Sequence, residues 1–341
     1  MPNAPLELHV AHEHWPLSAP FRISRGERHA ADVVVVRLGK SGTHGFGESS
    51  PYPRYGETVA SVIAQIERLR PMLAEGFDRR QLASLLPPGA ARNAVDCALW
   101  DLESRIDGRS VSDTLRQPVI GPIPCFRTLS MDTVERMADT ARRAGGAGTF
   151  KVKVDATDPI TIIRAVRDAA PDAHLIVDPN ESWNIELLQK LQPLLVENRV
   201  ALVEQPIPAG QDSALEQVNL DIPVCADESC HTLEDLDTVA RRYQAINIKL
   251  DKTGGLSAAL DLLEAARRRG LDVMVGCMVC TSLSLAPALH VARHADFVDL
   301  DGMIWLRRDR KGGLRLLDGL LMPPAPGFWG DPGGLSRLGS A

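Results

Sequence analysis

The sequence lacks any run of about eighteen consecutive apolar residues, so we expect no membrane-spanning helix. It also lacks an excess of basic residues, because the formal net charge at pH 7 is −6. A nucleic-acid partner is therefore not expected, since phosphate binding needs a basic surface. The first residues, MPNAPLELHVAHEHW, have neither the basic start nor the apolar stretch of a signal peptide. These absences favour a cytoplasmic protein without a membrane or nucleic-acid partner.

Cysteine is scarce as well, with six residues scattered over 341. Only Cys277 and Cys280 form a C-x-x-C pattern, and no second pair or nearby histidine completes a zinc site. We interpret all six as reduced thiols, mostly buried. The hydrophobic fraction of 44% is enough for a large core. The length fits one barrel-sized domain and a smaller one.

Short β-rich runs recur through the second two-thirds of the chain, about 22–27 residues apart, which is the spacing of one βα unit. Several are continuously apolar, as is typical of strands buried on both faces. Helical patterns, SALEQV among them, lie between the runs, so we predict an α/β barrel of the (β/α)8 kind. The runs span residues 123–130, 149–154, 174–180, 201–206, 223–229, 245–251, 272–278 and 297–302.

The remaining segments differ from the barrel pattern. Residues 1–120 show alternating strand patterns followed by helical ones, so we predict an α+β domain there, with a boundary near Gly121 and Pro122. The barrel is assigned to residues 121–302. Residues 303–341 are rich in Gly and Pro, and we expect an irregular segment that returns to the smaller domain.

Charged residues end most of the predicted barrel strands, where the active site of such a barrel lies. A single charge at a strand end is usually solvated, but clustered ionisable groups mark sites. Asp178, Glu204 and Asp227 end three consecutive strands, and their oxygens suit Mg²⁺. Lysines at the second and sixth strands flank them. Two opposed lysines can remove a proton from one face of a substrate and return one to the other, around a metal-stabilised enolate. We expect the cation and the opposite lysine to lower the pKa of each lysine.

The order of motifs resembles the enolase superfamily, specifically its muconate-lactonizing subgroup, over essentially the whole chain. The matching segments are KVK (151–153), DPNESW (178–183), EQP (204–206), ADES (226–229) and IKLDKTGG (248–255). The resemblance implies a (β/α)7β TIM-like barrel with an N-terminal α+β capping domain.

The resemblance also implies residue roles. One Mg²⁺ per subunit would be bound by Asp178, Glu204 and Asp227. Lys153 and Lys249 would be the catalytic acid/bases, with Lys252 as the alternative to Lys249. Lys151 would neutralise the substrate carboxylate. Supporting positions around this site would be Asn180, Glu228, Asp251 and Lys252.

The segment DLDG (299–302) resembles the dipeptide epimerases of this superfamily, in which two aspartates hold the substrate ammonium. Asp299 and Asp301 would do so here. Segments 51–57, 89–103, 226–231, 249–256 and 276–282 resemble the bacterial members that act on Ala-Glu dipeptides in murein peptide recycling. An arginine from the mobile loop of the capping domain would then bind the acidic second side chain. Of Arg22, Arg25 and Arg28 we favour Arg25, and we expect Thr128 to assist.

Other readings stay open. The same scaffold serves N-acylamino acid racemases, o-succinylbenzoate synthases and muconate cycloisomerases, whose substrates lack a free ammonium, so Asp299 and Asp301 count against them. A dipeptide with another second residue is the nearest alternative. A non-catalytic barrel predicts a missing ligand or lysine, and none is missing. The oligomeric state is open, although barrels of this kind often form symmetric homo-oligomers.

Overall fold

The computed structural model describes residues 5–144 and 148–332. The chain begins with a three-stranded antiparallel sheet of β1 (Glu7–Ile23), β2 (Gly26–Lys40) and β3 (Thr43–Ser49). The four consecutive valines of β2 are all buried, because the sheet is covered on both faces. Val34 and Val36 pack into the core of this domain, whereas Val33 and Val35 face the barrel core. The sheet therefore joins the two domains.

Four helices follow this sheet: α1 (Val59–Glu67), α2 (Arg79–Leu85), α3 (Ala90–Asp107) and α4 (Val111–Thr114). Of these, α1 and α3 contact its strands. The backbone of α3 lies directly on β3. A Cβ atom at Gly45 would lie 2.2 Å from Leu102 N, and one at Gly47 would lie 2.1 Å from Ala94 O. Only glycine permits this approach. The predicted α+β character of this part of the chain is confirmed.

Eight parallel strands form the barrel, in the order of the sequence. The first and last strands are joined by a hydrogen bond of 2.7 Å from Phe126 N to Val298 O. The strands are β5 (Arg127–Leu129), β6 (Thr149–Lys153), β7 (His174–Asp178), β8 (Val200–Glu204), β9 (Val224–Ala226), β10 (Ala245–Ile248), β11 (Asp272–Gly276) and β12 (Phe297–Asp299). A two-residue strand, β4 (Ile123–Pro124), precedes β5.

Helices connect successive barrel strands: α5 (Val134–Arg143), α6 (Pro159–Ala169), α7 (Ile185–Glu197), α8 (Leu236–Arg242), α9 (Leu250–Thr253), α10 (Leu256–Arg268) and α11 (Ser282–Ala292). Between β8 and β9 the predicted α-helix is instead a 3₁₀ helix, Asp212–Gln217. Asp212 does not cap a helix, because its carboxylate accepts hydrogen bonds from Ser229, Arg242 and Tyr243. The (β/α)7β barrel with an N-terminal α+β domain is confirmed.

The C-terminal segment is more regular than predicted. A hairpin of β13 (Arg315–Leu317) and β14 (Leu320–Met322) pairs with β4, at the end of the barrel where the strands begin. The expectation of irregular structure is wrong there, because alternating residues of the hairpin, such as buried Leu321, cover the barrel core. Farther on, Trp329 Nε1 donates to Phe46 O at 2.9 Å. The domain limits given in the sequence analysis stay predictions. Residues 1–4 and 333–341 lie outside the described residues.

Two expectations from composition can be compared with the structure. Of the helices in the described part of the chain, none is both long and apolar enough to cross a membrane. All six cysteines have free thiols, and five of them are buried, as predicted. Cys277 is partly exposed.

Candidate active site

A cavity of about 470 Å³ lies between the capping domain and the strand ends of the barrel. The capping domain contributes the β1–β2 turn and the short 3₁₀ helix Pro53–Tyr55. Ten of the predicted site residues line the cavity: Arg25, Thr128, Lys151, Lys153, Asn180, Asp227, Glu228, Lys249, Asp299 and Asp301. The predicted ligands Asp178 and Glu204 are fully buried, and they contact the cavity lysines.

Lys151 and Lys153 share one face of β6 because side chains alternate along a strand. Lys151 Nζ lies 3.1 Å from Asp178 Oδ2, 2.6 Å from Glu204 Oε2 and 2.7 Å from Asp299 Oδ2. Lys153 Nζ donates to Asp178 Oδ2. Burial disfavours the Lys151 ammonium, but the surrounding carboxylates outweigh burial and raise its pKa. Lys151 thus links the predicted ligand group to the predicted ammonium site.

Asp227 stands between Lys249 and Lys252. Lys249 Nζ donates to Asp227 Oδ2 at 2.6 Å, and Lys252 Nζ donates to Oδ1 at 2.7 Å. Lys252 has a fully buried ammonium that also donates to the backbone oxygens of Asp227 and Asn247. Lys249 reaches the cavity, whereas Lys252 lies behind it, so the geometry favours Lys249 as the residue available to a substrate.

Burial and the neighbouring charges together lower the pKa of Asp227 and raise the pKa values of Glu204 and Lys249. Burial disfavours the charged form of Asp227, but Lys249 and Lys252 outweigh burial and hold its pKa well below its usual range. Burial, followed by the charge of Asp178, raises the pKa of Glu204 to about 7. Burial also opposes the charge of Lys249, yet Asp227 and Glu204 raise its pKa above the ordinary value. The lysines thus hold Asp227 ionised, whereas Glu204 is not stabilised as an anion to the same degree.

The donor set fits a hard cation. The buried oxygens Glu228 Oε2 and Asn180 Oδ1 have no hydrogen-bond partner among the described residues, whereas Glu204 Oε2 pairs with Lys151. Such orphaned acceptors are costly unless a donor or an ion satisfies them. Within residues 5–144 and 148–332, no three His, Cys, Asp or Glu side chains are grouped as a ligand set, because lysine ammonium groups lie between the carboxylates. These residues therefore offer the oxygen ligands that a hard cation prefers, but in this structure the carboxylates pair with lysines.

Thr128 at the end of β5 connects the two aspartates of the predicted ammonium site. Its backbone N–H donates to Asp301 Oδ2 at 2.6 Å. Its hydroxyl lies 3.2 Å from Asp301 Oδ1 and 3.3 Å from Asp299 Oδ1. Burial and the neighbouring Asp299 raise the pKa of Asp301 to about 7. A buried pair of carboxylates at a cavity wall suits a cationic group, because opposite charge relieves their repulsion, as Lys151 already does in part at Asp299.

The three arginines considered for the acidic side chain lie in different environments. Arg22 pairs with Glu27 and lies 3.9 Å from Asp132. Arg28 stacks on the Tyr52 ring, 4.8 Å from its centroid. Arg25 lines the cavity and is bound by the barrel: it donates to Asn180 O at 3.0 Å and to Glu228 Oε1 at 2.7 Å.

Asp251 lies away from the position that its predicted supporting role implies. Its carboxylate accepts hydrogen bonds from Ser50 N at 3.0 Å and Asn93 Nδ2 at 2.8 Å, so it joins the capping domain to the barrel. Burial raises its pKa to about 7. Asn180 is next to the predicted ligand group, because its backbone N–H donates to Asp178 Oδ1 at 2.8 Å.

Sequence reasoning missed Glu181, Arg54 and Tyr52. Each lies in a segment that resembles the family, yet none was given a role. Tyr52 and Arg54 line the cavity. Arg54 forms an ion pair with Glu181, 127 positions away in the chain. A pairing over such a distance has no local sequence signal.

A barrel whose strand ends place lysines and carboxylates around one cavity is the arrangement of an enzyme. Two family models match: Enolase C-terminal domain-like over residues 133–328, and Mandelate racemase / muconate lactonizing enzyme, N-terminal domain, over residues 5–115. The chain belongs to the enolase superfamily.

Individual relatives narrow the class. The chain is 46% identical to the L-Ala-D/L-Glu epimerase of Escherichia coli (strain K12), over 92% of this chain and 98% of that protein. It is 41% identical to an N-acetyl-D-glutamate racemase of a Pseudoalteromonas species, over 87% and 95%. An enolase family member from Agrobacterium tumefaciens with homology to dipeptide epimerases, solved with sodium and L-Ala-L-Glu, superposes with a TM-score of 0.93 at 43% identity, over 96% and 100%. The chain is therefore an isomerase of the racemase and epimerase type.

Proposed function

We propose that this enzyme epimerises dipeptides of the L-Ala-D/L-Glu type at the α-carbon of the C-terminal residue, by proton transfer between two lysines. One observation carries the proposal. Lys153 belongs to the second strand of the barrel and Lys249 follows the sixth, so they approach the same cavity from opposite sides of the ring. A base on each face of one carbon is what inversion without a second substrate requires.

The two charged ends of a dipeptide fit two charged ends of the cavity. The ammonium is assigned to Asp299 and Asp301, which share the Thr128 donors. The carboxylate is assigned to Lys151 together with the cation that Asp178, Glu204 and Asp227 would hold, because Lys151 is already surrounded by three carboxylates. These two contacts fix the register of the substrate, so that the second α-carbon lies between Lys153 and Lys249.

We assign a bound Mg²⁺ to Asp178, Glu204 and Asp227. Members of this superfamily combine a lysine or histidine base with Mg²⁺. When bound, the cation stabilises the negative charge that develops on the substrate carboxylate as the α-proton leaves. The grouping of three buried carboxylates at adjacent strand ends and the nearby unpartnered oxygens Glu228 Oε2 and Asn180 Oδ1 support this assignment.

The lysines perform the proton transfers. Removal of the α-proton requires one lysine as a neutral amine and the other as an ammonium. The carboxylates raise the pKa of Lys249, so added positive charge among them is needed before Lys249 can be neutral. Lys252, fixed by Asp227 and by the backbone oxygen of Asn247, holds Asp227 in place and is not assigned a proton transfer.

The acidic second residue is assigned to Arg25, at the edge of the cavity. The Escherichia coli relative, named an L-Ala-D/L-Glu epimerase, and the Agrobacterium structure with L-Ala-L-Glu support this choice. A role in murein peptide recycling and a cytoplasmic location belong to the same proposal.

Racemisation of N-acetylglutamate is the second candidate, because one relative at 41% identity is named for that substrate in its D form. The paired carboxylates of Asp299 and Asp301 disfavour it, since an acetyl group offers them no positive charge. The purified protein with Mg²⁺ would be given L-Ala-L-Glu, L-Ala-L-Leu and N-acetyl-L-glutamate, with products separated by chiral chromatography. We expect inversion of L-Ala-L-Glu at the highest kcat/KM. Faster inversion of N-acetylglutamate would refute the dipeptide assignment.

A further inference from the structure

The loop that follows β7 has an unusual backbone. Asn180 has φ of 46° and Glu181 has φ of 68°, the left-handed region that residues other than glycine rarely adopt. The loop is fixed on both sides, since Asn180 N donates to Asp178 and Glu181 N donates to Gln205 O at 2.9 Å. Such a conformation persists only where the surroundings enforce it, and these positions concentrate at functional sites.

The left-handed backbone directs the Glu181 carboxylate toward the capping domain. Oε2 accepts from Arg25 NH1 at 2.9 Å and from Arg54 Nε at 2.9 Å. Oε1 accepts from Arg54 NH2 at 2.8 Å and from Ala209 N at 2.8 Å. The side chain is only 7% exposed, so this carboxylate is nearly enclosed by donors. Charge-assisted hydrogen bonds of this kind are the strong ones.

The two arginines come from separate parts of the capping domain. Arg25 lies in the β1–β2 turn and Arg54 in the 3₁₀ helix Pro53–Tyr55. The neighbouring Asn180 carbonyl adds to the same contact, because it accepts from Ser24 Oγ and from Arg25 NH1, both at 3.0 Å. One barrel loop therefore holds both segments of the capping domain that close the cavity.

We propose that Glu181 is a positioning residue that sets the place of Arg25 and so the preference for an acidic second side chain. This inference rests on the proposed function. Glu181 and Asn180 anchor the NH1 end of the guanidinium, whereas NH2 contacts Tyr52 Oη at 3.1 Å and Glu228 at the cavity. We assign a substrate carboxylate to this NH2 end, where it would replace the contact with Glu228. Without the charge of Glu181, the repulsion between Arg25 and Arg54 is uncompensated and the turn loses one of its anchors.

Glu181→Gln tests the inference because it keeps the shape and removes the charge. We expect KM for L-Ala-L-Glu to rise about tenfold, since one charge-assisted contact of Arg25 is weakened, with kcat within about twofold. KM for L-Ala-L-Leu should change less than about twofold. Glu197→Gln is the matched control, because it breaks an exposed pair with Arg164 at 3.4 Å far from the cavity. A residue needed only for folding would affect both substrates equally.

A double-mutant cycle with Arg25→Ala separates positioning from a direct effect. In the Arg25→Ala background, Glu181→Gln should not raise KM for L-Ala-L-Glu further. An equal rise in both backgrounds would overturn the inference, as would an unchanged KM in the single variant.

Hydrogen–deuterium exchange tests the anchor without any substrate. Glu181→Gln should speed exchange in peptides covering residues 20–28 and 50–57, and leave those of β10 unchanged. Unchanged protection of both capping segments would overturn the inference. If the wild-type protein inverts no dipeptide, the proposed function fails, and this measurement still decides whether Glu181 holds the two segments.

Discussion

Thr128 binds Asp301 through its backbone and its side chain, with the N–H at 2.6 Å from Oδ2 and the hydroxyl at 3.2 Å from Oδ1. These two donors hold the Asp301 carboxylate at the cavity wall next to Asp299, with which Thr128 also shares its hydroxyl. A substrate ammonium that binds next to the two buried carboxylates would reduce their mutual repulsion.

Asp301→Asn should therefore reduce activity on dipeptides more than activity on substrates without a free ammonium. We expect kcat/KM for L-Ala-L-Glu to fall about a hundredfold, the size of a lost charged hydrogen bond in a buried site. Any activity on N-acetyl-L-glutamate should not fall. Thr128→Val, which retains the backbone N–H, should have a smaller effect of about tenfold. An equal loss for both substrates in Asp301→Asn would show that this residue does not recognise the ammonium.

Arg25→Ala should raise KM for L-Ala-L-Glu at least tenfold and change KM for L-Ala-L-Leu little, because only the acidic side chain loses its charged partner. Steady-state kinetics with both dipeptides measure the difference. Arg22→Ala is the matched control, since Arg22 lies three residues earlier, near the end of β1, and pairs with Glu27 and Asp132. Equal effects of Arg25→Ala on both dipeptides would remove Arg25 from substrate recognition.

Removal of divalent metal with EDTA should abolish epimerisation, and Mg²⁺ should restore it. Because the cation binds only the folded state, Mg²⁺ should also raise the melting temperature by a few degrees. Glu204→Gln retains a side chain of the same shape and should lose both responses, because the neutral amide offers the cation no negative charge. A Mg²⁺-dependent melting shift as large as that of the wild type in Glu204→Gln would contradict the assignment.

The buried carboxylate of Asp96 should make the stability of the protein depend on pH, without involving the active site. Its carboxylate accepts from Ser257 Oγ at 2.6 Å and from Ser257 N at 3.0 Å, joining α3 to α10. Burial raises its pKa from 3.8 to about 6. The folded state therefore binds this proton more tightly than the unfolded state, and the contribution to stability falls as pH rises from about 4 to 6.

Urea unfolding at pH 4 and pH 7 measures this contribution. The wild type should lose about 2 kcal/mol more unfolding free energy across that window than Asp96→Asn, which has no proton to release there. Identical pH profiles of the two proteins would contradict the raised pKa.

Much of the fold could be predicted because the barrel repeats one local pattern. Each apolar run ends at a charge or turn, so strand positions and the residues at their ends follow from the sequence. The 3₁₀ helix at Asp212–Gln217 could not be predicted in this way, since its form depends on distant donors such as Tyr243. The β13–β14 hairpin was missed because its short strands pair with only two residues of β4.

The candidate site was predicted where residues act from strand ends. Lys153, Lys249 and the three carboxylates lie at or next to the ends of their strands, and the structure brings them together. Glu181 was missed because its direction depends on a left-handed backbone, which asparagine tolerates but glutamate rarely adopts. Arg25 was favoured, but its partners Asn180 and Glu228 lie more than 150 positions away and leave no pattern nearby.

The central claim is that Lys153 and Lys249 act on opposite faces of one carbon, and α-proton exchange in D₂O tests it most directly. Wild-type protein with Mg²⁺ should incorporate deuterium from both L-Ala-L-Glu and L-Ala-D-Glu. Lys153→Ala and Lys249→Ala should each abolish epimerisation, and each should retain exchange from at most one epimer, a different one for each variant. Full epimerisation by either variant, or no exchange in the wild type, would contradict the two-lysine account.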